Sequence, residues 1–278
     1  MKHLYLNLKR FDVPPAYGGI NRLCDLKTWG EYIVSHTQDE LKKYSPEEAE
    51  FVQFFPEAHL LGAVNARNVN SPVHVGCQGV YRMNTALGGN FGAFTTNRPV
   101  SSMLAMGVQS TIIGHCEERN DKSGILAEAG VIDTAAVNRL LNQEIKQAVS
   151  NGMNVLYCIG EKDTELDRWQ EVLLEQLETG LDGVDKSKVV IGYEPVWSIG
   201  PGKTPAGKDY IIKVARFIKE VTGGIDVVYG GGLKKDNADM LASIDEIDGG
   251  LIALTRFSGE IGFYPDEYLE IIGIYLGK

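Results

Sequence analysis

The feature that most constrains this chain is an alternation. A short apolar, β-branched run is followed by an amphipathic stretch, about eight times over 278 residues. The runs are Leu4–Leu8, Phe51–Phe55, Val73–Cys77, Ser110–Gly114, Val155–Ile159, Val189–Tyr193, Val227–Tyr229 and Leu251–Leu254. Continuous apolar runs of this kind suit parallel strands covered on both faces by helices. The stretches between them carry helical spacing. Val137, Leu140, Leu141, Ile145 and Val149 form one stripe, with Asp133-Thr134 as its cap and Asn151-Gly152 as its stop. Leu166, Trp169, Leu173, Leu177 and Leu181 form another. No shift in composition divides the series, so the pattern predicts a single (β/α)8 barrel, one domain over residues 1–278. Residues 12–56 mark their helix and strand poorly, which leaves an open doubly wound sheet as the alternative.

Apolar residues make up 44% of the chain, enough for a large core, and no apolar run approaches the roughly 20 residues of a membrane helix. The N-terminal MKHLYLNLKRF lacks the apolar stretch and small-residue cleavage site of a secretory leader. A net charge of −10 argues against general nucleic-acid binding. It also means that an anionic substrate has to be captured by local cations or helix N-termini. Cys24, Cys77, Cys116 and Cys158 contain no CxxC pair, so free thiols in a reducing cytosol are expected rather than a zinc or redox site.

Several polar residues stand where apolar runs end, which in a barrel is the active face. Glu194 begins EPVWSIGPGKTP and is either a general base or a loop ion-pair partner. The GPGKT that follows is no P-loop, because the motif's first glycine would fall on Trp197. A hinged lid with a stiff Pro195-Val196-Trp197 and a tip at Gly200 and Gly202 competes there with an ordinary loop. His115, after STIIG, is an acid–base or electrophilic candidate, though a lone histidine is more often a structural hydrogen-bonding residue. Its neighbour Cys116 reads as a spectator thiol. Asn7 and Lys9, two apart on a strand, would project to the same side at the barrel mouth, where Lys9 supplies a cation. The glycines of VVYGGGL, after a strand and before a helix, allow close backbone approach to an anion.

These pieces come in a recognisable order. NLK, GHCEER, CIGE, YEPVWSIGPGKT and YGGG together resemble the triosephosphate isomerase family over nearly the whole chain. The resemblance implies an aldose–ketose isomerase that interconverts glyceraldehyde 3-phosphate and dihydroxyacetone phosphate through an enediolate. It casts Glu194 as the base, His115 as the electrophile and proton shuttle, and Lys9 as the stabilising cation with Asn7 beside it. Glu117 matches the glutamate of GHxE, Gly200 and Gly202 the lid tip, and Gly231 and Gly232 the phosphate turn. No metal or organic cofactor is implied, since side chains suffice. A phosphorylated sugar is the implied partner, with no nucleic acid or membrane, in a cytoplasmic homodimer.

The chain also departs from the pattern. Leu8 stands where the family has tryptophan, Glu118 where it has the first arginine of a pair, and Gly232 where it has serine. Ala253 and Leu254 replace a Gly-Gly pair whose N–H groups bind phosphate, and Arg256 is the expected replacement contact. Segments near 12–50, 79–94 and 255–265 look enlarged, the second being the family's dimer loop. A related isomerase acting on a tetrulose phosphate is the alternative function, and a non-catalytic barrel that binds a phosphorylated ligand is a third.

Overall fold

The computed structural model describes residues 1–200 and 203–278. Its strands are β1 (Lys2–Asn7), β2 (Ala49–Phe55), β3 (Val73–Cys77), β4 (Ser110–Ile113), β5 (Asn154–Ile159), β6 (Val189–Tyr193), β7 (Val227–Tyr229) and β8 (Gly249–Ile252). They follow one another in chain order round a closed barrel, so the open-sheet alternative does not hold. The helices are α1 (Trp29–Leu41), α2 (Leu60–Asn65), α3 (Val100–Ala105), α4 (Cys116–Glu128), α5 (Thr134–Ser150), α6 (Trp169–Leu181), α7 (Lys208–Thr222), α8 (Ala238–Ala242) and α9 (Pro265–Leu276). None among the described residues is long and apolar enough to cross a membrane. None of the four cysteines forms a disulfide.

The chain falls into two compact units: Met1–Gln78 with Met106–Ser110 and Gly232–Lys278, and Gly79–Ala105 with Thr111–Gly231. In the first, β8, β1, β2 and β3 pair in parallel, with His3 opposite Gly249, Leu4 opposite Phe51 and Phe54 opposite Gly76. Leu4, Leu6, Phe51, Phe54 and Phe55 are buried there. β8 starts two residues earlier than its hydropathy suggests. Gly249 and Gly250 belong to the strand rather than to a turn, because a Cβ on Gly249 would overlap the His3 carbonyl and one on Gly250 would lie 2.7 Å from the Leu233 side chain. β1 likewise starts at Lys2, whose N–H donates to the Glu48 carbonyl at 2.9 Å, and ends at Asn7 rather than Leu8.

In the second unit β5, β6 and β7 pair in parallel, with Val155 opposite Val189 and Tyr193 opposite both Ile159 and Tyr229. This register brings the three strand ends level, and the residues after them share one neighbourhood. The Asp133 carboxylate caps α5 by accepting the Ala136 N–H at 2.8 Å, and Val137, Leu141, Ile145 and Ala148 form its buried stripe. The second helical stripe is shorter than its spacing suggests. Leu166 lies in a 3-10 stretch over Asp163–Arg168 and is exposed, and α6 starts at Trp169. β4 stops at Ile113 because Gly114 turns to φ +82.

Candidate active site

Glu194 follows β6 directly and is only 2% exposed. Its N–H donates to the Ile159 carbonyl at 2.8 Å, and the Gly230 N–H donates to the Tyr193 carbonyl at 2.6 Å. Two glycines make the space it occupies. A Cβ on Gly160 would overlap the Glu194 carbonyl oxygen, and one on Gly230 would lie 2.7 Å from Glu194 Cγ. With its backbone thus held, the carboxylate reaches the start of α4. Oε2 accepts the Cys116 N–H at 3.0 Å and Oε1 lies 3.1 Å from His115 Nε2.

His115 caps α4 with extended backbone angles, φ −51 and ψ 147. Its Nδ1 faces the Glu117 backbone N–H at 3.2 Å. A backbone N–H can only donate, so Nδ1 holds a lone pair and the ring proton sits on Nε2, facing Glu194. Held in this way, the ring accepts at Nδ1 and presents Nε2–H to the carboxylate. Glu117 itself is exposed, its Oε2 3.6 Å from the same Nδ1. His115, Cys116 and Glu194 each offer a ligand atom, all within 4.8 Å of one another. Both ring nitrogens and the carboxylate are already engaged, however, and the start of a helix disfavours a cation. A metal there would have to break the helix cap or the histidine–glutamate contact.

Two residues that lie in the CIGE and YGGG motifs but were given no role from the sequence, Glu161 and Tyr229, give this site its frame. Glu161, buried just past β5, accepts at Oε1 from Tyr193 Oη (2.9 Å), Trp197 Nε1 (2.8 Å) and Tyr210 Oη (3.0 Å). Its carbonyl accepts the Val196 N–H at 3.1 Å. Burial first, and the Glu161 charge second, push the phenols of Tyr193 and Tyr210 well up. The stiff Pro195–Ser198 stretch is therefore fastened to the tip of β5. Tyr229, at the end of β7, is hydrogen-bonded to the Ser198 side chain and the Ala206 backbone, and burial pushes its phenol up to about 12. One hydroxyl thus ties both ends of residues 199–205. The clues in the sequence were the motifs themselves and, for Glu161, its position after an apolar run, as for Glu194.

Gly200 is exposed with φ +114 and open space around its absent side chain. Gly202 lies outside the described residues. A Cβ on Gly231 would crowd the Tyr229 hydroxyl.

In the other unit, Asn7 is buried at the end of β1. Lys9 does not continue the strand as expected from the alternation. It turns to φ +40, a left-handed conformation uncommon outside glycine. Side chains hold that turn. The Lys9 N–H donates to Asn7 Oδ1 at 3.0 Å, and Gln78 Nε2 reaches Asn7 Oδ1 (3.2 Å), the Lys9 carbonyl (3.1 Å) and the Phe54 carbonyl (3.3 Å). Gly232 has φ +97, and its carbonyl accepts from Asn237 Nδ2 at 2.9 Å. Arg256 pairs with Glu267 Oε1 through Nε (2.7 Å) and Nη2 (2.5 Å) and lies 3.8 Å over the Tyr264 ring. It sits at the base of a hairpin closed by an Arg256–Gly262 bridge.

A family model described as triosephosphate isomerase matches residues 26–263. Among similar proteins, a triosephosphate isomerase of Pelodictyon phaeoclathratiforme is 38% identical over 195 residues, 66% of this chain and 70% of that one. That of Acaryochloris marina is 30% identical over 219 residues, covering 78% and 83%. That of Lactobacillus delbrueckii subsp. bulgaricus is 30% identical over 254 residues, covering 86% and 90%.

Proposed function

The chain belongs to the triosephosphate isomerase family, and from that premise we propose that it interconverts glyceraldehyde 3-phosphate and dihydroxyacetone phosphate by proton transfer. The observation that carries this reading is the contact of a buried carboxylate, Glu194, with His115 Nε2, while His115 Nδ1 accepts the Glu117 N–H. Glu194 removes the proton from the carbon beside the carbonyl. His115 Nε2–H turns from the carboxylate to the substrate oxygens, polarises the carbonyl and moves a proton between them. Triosephosphate isomerase is itself the standing example of this neutral-imidazole device. A neutral donor fits this chemistry, because its N–H stabilises the enediolate oxygen, and the imidazolate left when it protonates that oxygen takes a proton back from the neighbouring hydroxyl.

Lys9 supplies the cation that an acidic chain needs for an anionic substrate, with Asn7 holding its backbone turn. The Glu117 N–H keeps His115 in the useful tautomer. Gly200, Gly202, Gly231 and Gly232 receive the phosphate, and Arg256 adds a contact if it leaves Glu267. The 195–206 segment encloses the enediolate, which would lose phosphate in water. No cofactor takes part. The enzyme works as a cytoplasmic homodimer in glycolysis, one barrel domain per chain. The dimer forms through residues 79–94, where Met83, Leu87 and Phe91 are exposed. A tetrulose phosphate is the second reading, favoured by Ala253 and Leu254 in place of the glycine pair.

The test is a coupled assay with glyceraldehyde 3-phosphate and, separately, erythrulose phosphates, with Glu194→Gln as control. Fast triose turnover, lost by about a thousandfold in the control, is expected for a general base. Activity confined to the four-carbon substrates would replace the first reading with the second.

A further inference from the structure

His115 does its work only if its ring is aimed, and the peptide that aims it is held by an unusual pair. Gly114, the residue before it, has φ +82, and a Cβ there would lie 2.7 Å from the Cys158 carbonyl oxygen. Its N–H donates to Glu118 Oε2 at 2.6 Å and its carbonyl accepts from Arg119 Nε at 2.8 Å. Consecutive side chains of the first turn of α4 thus clamp Gly114 from both ends. Glu118 is itself braced. Its Oε1 meets Lys122 Nζ at 2.9 Å, and Lys122 Nζ meets Glu144 Oε1 on α5 at 3.0 Å. Arg119 is braced as well, by Asn138 Oδ1 at 2.7 Å and by the Cys158 carbonyl.

This matters because α4 has no buried residues along its length. Apolar packing does not fix where the helix starts, so its polar anchors do. Arginine at position 118, as the family pattern has it, has no acceptor to offer a backbone N–H. The glutamate does, and it sits one helical turn beyond Gly114 with its partner lysine a further turn on. Burial alone would raise the Glu118 carboxyl, but Lys122 and the Gly114 N–H hold it below the usual range, so it stays an ionised acceptor.

We propose that Glu118 is a positioning residue for His115. Its carboxylate fixes the Gly114 peptide, and through it the direction and the tautomer of the imidazole. The proposal rests on the reading of His115 as the group that polarises the substrate carbonyl.

The experiment compares Glu118→Ala, which removes the acceptor, with Glu118→Gln, which keeps an acceptor oxygen at the same reach. Each is read by kcat, by KM and by the nitrogen-15 spectrum of the His115 ring. Glu118→Ala is expected to lower kcat by about tenfold to a hundredfold, the scale of a small misplacement, with KM within about twofold. Its ring spectrum is expected to show both neutral tautomers. Glu118→Gln is expected to recover most of kcat and the single tautomer. If Glu118→Ala does not fold, Glu118→Met takes its place, filling the volume without an acceptor.

Native kcat and a native ring spectrum in the acceptor-free variant would overturn the proposal. So would an equal loss in both variants with the ring spectrum unchanged, since that marks general destabilisation. A His115→Asn variant separates the two ideas. Full activity there would remove His115 from the reaction, whereas the ring spectrum of Glu118→Ala still reports on positioning.

Discussion

Glu194 is placed by what its neighbours lack. Gly160 and Gly230 leave no room for side chains beside its backbone and Cγ. Gly160→Ala would push against the Glu194 carbonyl, a backbone atom that cannot rotate aside. The expected outcome is a fall in kcat of about a hundredfold, from a displacement of the order of an ångström, with a destabilisation of about 1–3 kcal/mol. Steady-state kinetics and denaturant unfolding check it. Glu194 and His115 were legible in the sequence because each directly follows an apolar run, and a barrel puts such residues on its working face. Glu161's role was not legible. Its three partners lie 32, 36 and 49 residues along the chain, and only the level ends of β5 and β6 bring them to one oxygen. Local spacing carries no trace of that convergence.

Among the elements, the connection after β6 has both of its flanks tied to one residue. Tyr229 holds Ser198 and Ala206 together. Tyr229→Phe removes both bonds, worth about 1–3 kcal/mol in sum. Turnover is expected to drop by about tenfold or more, and inorganic phosphate to appear with product as the enediolate escapes protection. A phosphate-release assay run beside the isomerase assay reads both. The strands were largely legible from apolar runs, β3, β6 and β7 to the residue. Misses have physical causes. At β8 the two glycines add nothing to the apolar run but are strand residues, Gly249 tight against His3 of β1 and Gly250 against the Leu233 side chain. At β1 the first pairing is a backbone bond from Lys2, to which hydropathy is blind. Leu166 fits a helical stripe by number but stands in a 3-10 stretch and faces solvent.

For the whole molecule, the Glu118–Lys122–Glu144 cluster sets a stability that depends on pH. Burial, and then the Glu118 charge, push the Glu144 carboxyl up to about 8 from an ordinary 4.5. Between these values the folded chain keeps a proton that the unfolded chain has released. This group's contribution therefore turns against folding as pH rises above 4.5, and levels off once the folded carboxyl ionises near 8. Glu144→Gln removes that penalty. Its thermal midpoint is expected to exceed the parent's by about 3 °C or more near neutral pH, with no gain at about pH 4. Calorimetry at the two pH values decides it. Association is the other property at this scale. Phe91→Asp, on the exposed 79–94 segment, is expected to weaken the proposed dimer by about tenfold or more in sedimentation equilibrium.

The left-handed turn at Lys9 bears on how this enzyme can be rebuilt. A residue of the opposite chirality would occupy φ +40 without steric cost. Cys24 lies fifteen positions further on, so a synthetic peptide ending at Leu23 can be joined to the remainder by thiol ligation at a native cysteine. D-lysine at position 9 would then relax the main chain while swinging the ammonium away from its direction. A semisynthetic protein that is more stable and much slower would show that the chain spends conformational strain to point one charge.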